Sequence, residues 1–143
     1  MKKRLGTLVL GLACLAGLPA LAQEDLPNVV GTWTGDFKLM HHTGPAEQSL
    51  QFKVLEQDGA LLKAEKAWRI VSGTPGDVAG EPQTEAVEPL VGVIDFDGTI
   101  YFAEQGDAGL YKARLTGPDT IEILYVEAGD LATAYRAELT RAK

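Results

Sequence analysis

From Val29 onward, apolar and polar residues alternate with a period of two in short runs, and clusters of Gly, Asp and Pro separate the runs. A period of two places successive side chains on opposite faces of an extended chain, so the pattern predicts a β-meander. Eight runs are expected, at about residues 30–40, 48–56, 60–71, 89–95, 99–105, 109–116, 120–127 and 131–140. Asp58-Gly59 and Asp97-Gly98 read as two-residue hairpin turns, because Gly accepts the positive φ that such turns require. Gln105-Gly106-Asp107, Gly117-Pro118-Asp119 and Gly129-Asp130 read as further tight turns, so the last five runs should pair with their sequence neighbours. No stretch after residue 22 combines helical periodicity with caps.

Residues 72–88 break the rhythm with Gly73, Pro75, Gly76, Gly80, Pro82 and several acids. A linker there would leave two halves too small to bury their own cores, so a long loop at one end of a single domain is expected. Eight antiparallel strands in sequence order leave two open edges, and pairing the first strand with the last removes both. The predicted fold is therefore all-β: an eight-stranded antiparallel up-and-down barrel, whose interior side chains can fill or which can hold one small ligand.

Alternation assigns the faces. Trp33, Phe37 and Leu39 share the inner face of the first strand with Gly31 and Gly35, and Leu50, Phe52 and Val54 point inward from the second. The inward set of the third is Leu62, Ala64, Lys66, Trp68 and Ile70. Lys66 is the exception on that face; a buried ammonium needs a carboxylate, a ligand or water, or else a place near the mouth where its head reaches solvent. The runs at 89–95 and 120–127 are apolar on both faces and leave their orientation open.

The N-terminus changes the picture of where this barrel works. Met1-Lys2-Lys3-Arg4, an apolar stretch from Leu5 to Leu18, and Ala20-Leu21-Ala22 follow the basic, apolar, small-x-small order of a removable secretory signal. Residues 1–22 are read as signal peptide and 23–143 as one barrel domain, periplasmic or secreted, with no membrane attachment after cleavage after Ala22. Cys14, the one cysteine, falls inside the signal, and the Gly at position 11 departs from the pattern of a lipid-acceptor cysteine. The mature chain has no disulfide to rely on. Three of the 13 basic residues also lie in the signal, leaving ten against 20 acidic side chains and a formal charge of −10. Such a surface repels phosphate backbones, which argues against a nucleic-acid partner.

Gly31-Thr32-Trp33-Thr34-Gly35 forms a Gly-x-Trp motif opening the first strand, and an Arg stands near the end of the last. In these features and in the hairpin-linked meander, the chain resembles the calycin superfamily of lipocalin and avidin-like barrels over nearly its whole mature length. The resemblance implies that Trp33 lies across the closed end with Arg141 stacked on it, Arg136 being the second choice. It implies a container or a recognition surface, with the loops at the open mouth doing the discriminating. Biotin binding is not implied, since Asp36 and Phe37 follow the motif and Trp68 is the one further tryptophan.

Catalytic chemistry is not expected: the mature chain lacks a cysteine, a Gly-x-Ser-x-Gly turn and a phosphate loop. His41-His42 reads as a solvated turn, because neighbouring strand residues diverge to opposite faces and rarely share a metal. Asp95, Asp97, Glu104 and Asp107 lack the regular spacing of a calcium loop. No cofactor and no metal site is therefore expected. The primary expectation is a small apolar or amphipathic ligand held by Phe37, Phe52, Lys66 and Trp68 beneath the loop at 72–88. The alternative is a protein-binding module, such as an inhibitor of a secreted protease, docking through residues 23–28 and the loops.

Overall fold

The computed structural model of the chain describes residues 26–78 and 80–143, so the signal reading of residues 1–22 lies outside the described residues. Among the described residues ten strands follow one another: β1 (Gly31–His41), β2 (Gly44–Asp58), β3 (Leu61–Gly73), β4 (Gly76–Val78), β5 (Glu81–Gln83), β6 (Glu85–Ile94), β7 (Ile100–Glu104), β8 (Gly109–Gly117), β9 (Thr120–Glu127) and β10 (Thr133–Arg141). Eight of them close a barrel in the order β1-β10-β9-β8-β7-β6-β3-β2, and β4 and β5 form a separate hairpin. Every pairing is antiparallel, and closure runs through Trp33 opposite Arg141 and His41 opposite Thr133. The expected up-and-down barrel is present, with the β4–β5 hairpin inserted between its third and fourth staves.

The alternation of the chain sets what fills the ring. Trp33, Leu39, Leu50, Phe52, Val54, Leu62, Ala64 and Trp68 are buried at the inward positions predicted for them. The two strands that are apolar on both faces are resolved by register: Leu90 and Ile94 of β6 and Ile121, Ile123 and Tyr125 of β9 point in, whereas Val91, Val93, Leu124 and Val126 point out. Phe52 packs edge-on against Phe102 and Tyr111 at mid-height.

Three local expectations are corrected. Residues 72–88 are not an unstructured loop, since β3 runs on to Gly73, β6 begins at Glu85, and β4 and β5 pair between them. The connection at Asp97-Gly98 is wider than a two-residue turn: Ile94 pairs with Ile100, and Gly98 N–H to Asp95 O together with Thr99 N–H to Asp97 Oδ1 stabilises the enlarged loop. His41 is not in a solvated turn; it is the last inward residue of β1, 7 % exposed, with its Nδ1 3.0 Å from the Thr133 hydroxyl.

Register shifts in β2 at Val54/Glu56 let the strand turn Gln57 toward the closed end. There the Gln57 amide accepts from Val29 N–H at 3.1 Å and donates to Pro27 O at 3.0 Å, fastening the chain segment before β1 across the barrel floor. Trp33 is fully buried above it and donates from Nε1 to Val29 O at 3.1 Å. The Arg141 guanidinium lies 4.1 Å from the centre of the Trp33 ring and donates to Val30 O at 2.6 Å and Asn28 O at 3.2 Å. Gly31 makes room for it: at φ 141° a side chain would be strained, and its Cβ, 2.8 Å from Arg141 Nη1, would push the guanidinium aside.

Arg141 thus closes the floor, whereas Arg136 points outward and is exposed. Arg141→Gln removes two charge-assisted hydrogen bonds and the contact with the indole, and should cost about 2–3 kcal/mol. Arg136→Gln should stay within about 0.5 kcal/mol. Urea unfolding of the two variants beside the parent checks the contrast.

Candidate functional site

Opposite the floor, the barrel opens where β3 leads into β4 and β6, where β7 turns into β8, and where β9 turns into β10. The inward residues change character toward this end. Gln48, two residues before Leu50 on the same face, is 5 % exposed, and Glu88, two residues before Leu90, is 7 % exposed. Lys66, Glu104 and Thr133 are buried beside them. A barrel that needed only stability would fill these positions with apolar side chains, since buried polar groups lose their hydration.

Lys66, Glu88, Glu104 and Thr133 each have side-chain partners. Lys66 Nζ contacts Glu88 Oε2 at 2.9 Å and also donates to Glu104 Oε1, all three side chains being almost completely enclosed. It lies 4.9 Å from the Tyr125 ring centre as well. The Trp68 indole donates to Glu88 Oε2 at 2.6 Å, and the Tyr125 hydroxyl sits 3.1 Å from Glu104 and 3.0 Å from Glu127. Tyr111 and Tyr135 share a hydroxyl–hydroxyl hydrogen bond of 3.0 Å. Tyr135 stacks on Phe37 at 4.4 Å and on Tyr125 at 4.8 Å. Gly109 leaves the space that the Glu104 carboxylate and the Tyr125 hydroxyl occupy.

Burial sets the protonation of this network. It raises the pKa of Glu104 in spite of the Lys66 ammonium, which pulls the other way. Burial likewise raises Tyr111, Tyr125 and Tyr135, so the three phenols stay protonated at any physiological pH. At the rim, burial pushes Glu127 up to about 7; the Tyr125 hydroxyl opposes the shift, and Asp107, Asp77 and Glu104 add to it. Asp77 is raised by burial and by Asp107, and His41 is lowered by burial.

The β4–β5 hairpin lies over this end. A Cβ on Gly76 would approach the Trp68 ring to 2.9 Å, so the hairpin backbone rests directly on the indole. The cavity left beneath it measures about 30 Å³ and is lined by His41, Gln48, Lys66, Trp68, Asp77, Glu88, Asp107, Tyr125, Glu127, Thr133 and Tyr135. That volume takes about two water molecules. Among the described residues, two buried atoms at this end have no hydrogen-bond partner, His41 Nε2 and Asp77 Oδ2. Carboxylate oxygens of Asp77, Asp107 and Glu127 lie within 4.8 Å of one another, as do those of Glu88, Glu104 and Asp107.

Of the residues expected to bind a ligand, Lys66 and Trp68 line the cavity. Phe37 stands behind Tyr135, and Phe52 belongs to the mid-height core. The Lys66 head does not reach solvent; two carboxylates enclose it. The four acids considered together for calcium are separated: Glu104 and Asp107 belong to the mouth, while Asp95 and Asp97 lie in the β6–β7 connection at the floor. Asp77 and Glu127 were not singled out by the sequence. Gln48 and Glu88 were not singled out either; the inward parity of Leu50 could have marked Gln48, whereas Glu88 fell in the expected loop and the faces of the run after it were open.

The outer surface carries a second feature. Following the pairing across the staves, Val91, Ala103, Leu110, Val126, Ala134 and Met40 are successive neighbours, an outward apolar row spanning β6 to β1. Met40, Val91, Leu110 and Val126 are each about half exposed or more. No family model, no curated protein and no solved structure matches the chain.

Two outcomes follow for the polar half. Lys66→Met leaves two carboxylates uncompensated and should cost about 3–5 kcal/mol, part of which Glu104→Gln in the same chain should return. Urea midpoints of parent, single and double variants measure this. A carboxyl whose folded pKa is raised holds its proton more tightly in the folded state, so its contribution to stability is lost as pH rises from the ordinary 4.5 toward about 7. The parent should therefore weaken relative to Glu127→Gln across that window and run parallel to it above. Charging of His41 on acidification acts equally on both proteins and cancels in the comparison.

Proposed function

We propose that the protein is an exported barrel that binds a small amphipathic molecule at its mouth, beneath the β4–β5 hairpin. The observation that carries this reading is the convergence of hydrogen-bonding side chains (Lys66, Glu88, Gln48, Thr133) with an aromatic wall (Trp68, Tyr125, Tyr135) at one end of an otherwise apolar barrel. Concave sites that pair an aromatic lining with a few convergent polar groups are where small ligands bind. The polar lining favours an amphipathic over a purely apolar ligand. Since about 30 Å³ is free with the hairpin in place, a ligand larger than water enters as the hairpin lifts from Trp68.

The relation to the calycin superfamily is part of the proposal. It is supported by the Gly-x-Trp motif at Gly31–Trp33, the Arg141 contact on Trp33 and the eight-stave closure. The location outside the cytoplasm is supported by the order of basic, apolar and small residues over 1–22.

A second reading, a protein-binding module, is favoured by the outward apolar row through Val91, Leu110 and Val126, since contiguous exposed apolar surface marks sites of association. Docking through an N-terminal arm is less well supported, because Pro27 and Asn28 are already bonded to the floor.

Tryptophan emission separates the readings. Trp33 is sealed at the floor and Trp68 lines the mouth, so a ligand from a small-molecule extract should shift the emission of the parent and raise its melting temperature, and Trp68→Phe should abolish the emission change. Native mass spectrometry should then show the retained ligand. An extract that changes neither emission nor melting overturns the ligand reading. Loss of a captured protein partner on Leu110→Lys with Val126→Lys, at unchanged melting temperature, would install the second.

A further inference from the structure

The lining of the mouth cavity is unbalanced in charge. It holds the carboxylates of Asp77, Glu88, Asp107 and Glu127 against the Lys66 ammonium. His41 also lines it, but burial lowers its pKa and it adds no positive charge at neutral pH. Lys66 is taken up by Glu88 and by Glu104. Among the described residues, Asp77, Asp107 and Glu127 form no ion pair. Glu127 is pushed up to about 7, first by burial, with Asp107 and Asp77 adding to the shift, so near neutrality it keeps a proton where no cation is at hand.

Two features independent of these acids mark the cavity as a place for a ligand. Gln48 lines it at 5 % exposure, and among the described residues its side-chain amide has no hydrogen-bond partner. A buried amide is costly unless something entering the cavity satisfies it. The other feature is the aromatic wall of Trp68, Tyr125 and Tyr135. Ring faces attract cations, and this wall already accommodates one, since Lys66 Nζ lies 4.9 Å from the Tyr125 ring centre.

We propose that the ligand of the mouth is an organic cation, an amphipathic amine whose ammonium lies among Asp77, Asp107 and Glu127 and whose apolar body rests on Trp68 and Tyr135. A primary ammonium carries three donors. Carboxylate oxygens of the three acids are no more than 4.8 Å apart, so one nitrogen can reach all of them at about 2.8 Å, an ordinary length for a charge-assisted hydrogen bond. The Gln48 carbonyl is placed to accept a further polar hydrogen. A carboxylate or phosphate head in the same position would meet like charge, and a hydroxyl head would leave the acids unneutralised. This inference rests on the ligand reading above and names the class of molecule that the site takes.

The test uses the full mature chain and two sets of probes, each sharing one body under three heads: phenethylamine, phenethyl alcohol and phenylacetate, and octylamine, octanol and octanoate. Calorimetry and Trp68 emission should show an amine bound about tenfold or more tighter than the alcohol of its set, and no binding of either acid at millimolar concentration. Asp107→Asn should remove most of that preference while the affinity for the alcohol stays within about twofold, a split that a merely structural role would not produce. Glu138→Gln, which takes the same charge from the exposed outer wall, should leave the preference unchanged. The proposal is overturned if neither amine binds at millimolar concentration, if an alcohol or acid binds as tightly as the amine of its set, or if the preference survives Asp107→Asn combined with Glu127→Gln. An alcohol or acid that binds and shifts Trp68 emission removes the cation while leaving the mouth reading in place. A protein whose emission answers neither the probes nor the extract loses both.

Discussion

The contact of Arg141 with Trp33 is the constraint on which the rest of the barrel depends. A ring of eight staves has two ends, and each end exposes inward side chains unless something covers them. The indole fills the floor, the guanidinium sits 4.1 Å from its ring centre, and the same guanidinium donates to the carbonyls of Val30 and Asn28. Strand ten is thereby locked to strand one at the point where closure is most easily lost. With one end sealed by apolar and cationic packing, the apolar core can be confined to the floor and mid-height layers.

The mouth half is then free to be something other than core. Lys66, Glu88 and Glu104 form a buried charge cluster whose members would each be costly alone, and which is satisfied only because the Trp68 indole and the Tyr125 hydroxyl complete the lone pairs. Such a network adds little net stability over an apolar filling of the same volume. It occurs at one end only, beside the inserted hairpin, where the proposed ligand site lies.

Much of this was legible in the sequence, and the reasons for the gaps are physical. Parity along each strand identified the inner faces of β1, β2 and β3, and it marked Lys66 as an exception, because a two-residue period is a local property. The partners of Lys66 were not local. Glu88 stands directly opposite Lys66 on β6, and Glu104 reaches it from β7; neither neighbourhood can be read until the order β3-β6-β7 is known. The β6 and β9 faces stayed open because both faces are apolar, and the outer apolar set of β9, Leu124 and Val126, belongs to a row visible only across strands. The β4–β5 hairpin was hidden by its glycines and prolines, which signal a loop as readily as a short strand pair. Residue 41 had the parity of Trp33 and Leu39, and the neighbouring His42 masked that assignment.

The two surfaces that could do work, the outer row and the mouth, differ in what they cost the protein. The exposed Val91, Leu110 and Val126 sit on strands whose inner faces carry buried core residues, so they are compatible with folding whether or not anything covers them. The mouth is different in kind, because among the described residues His41 Nε2 and Asp77 Oδ2 are buried without partners and carboxylates gather at the rim. On that ground the mouth, rather than the outer wall, is where the chemistry of this barrel is concentrated.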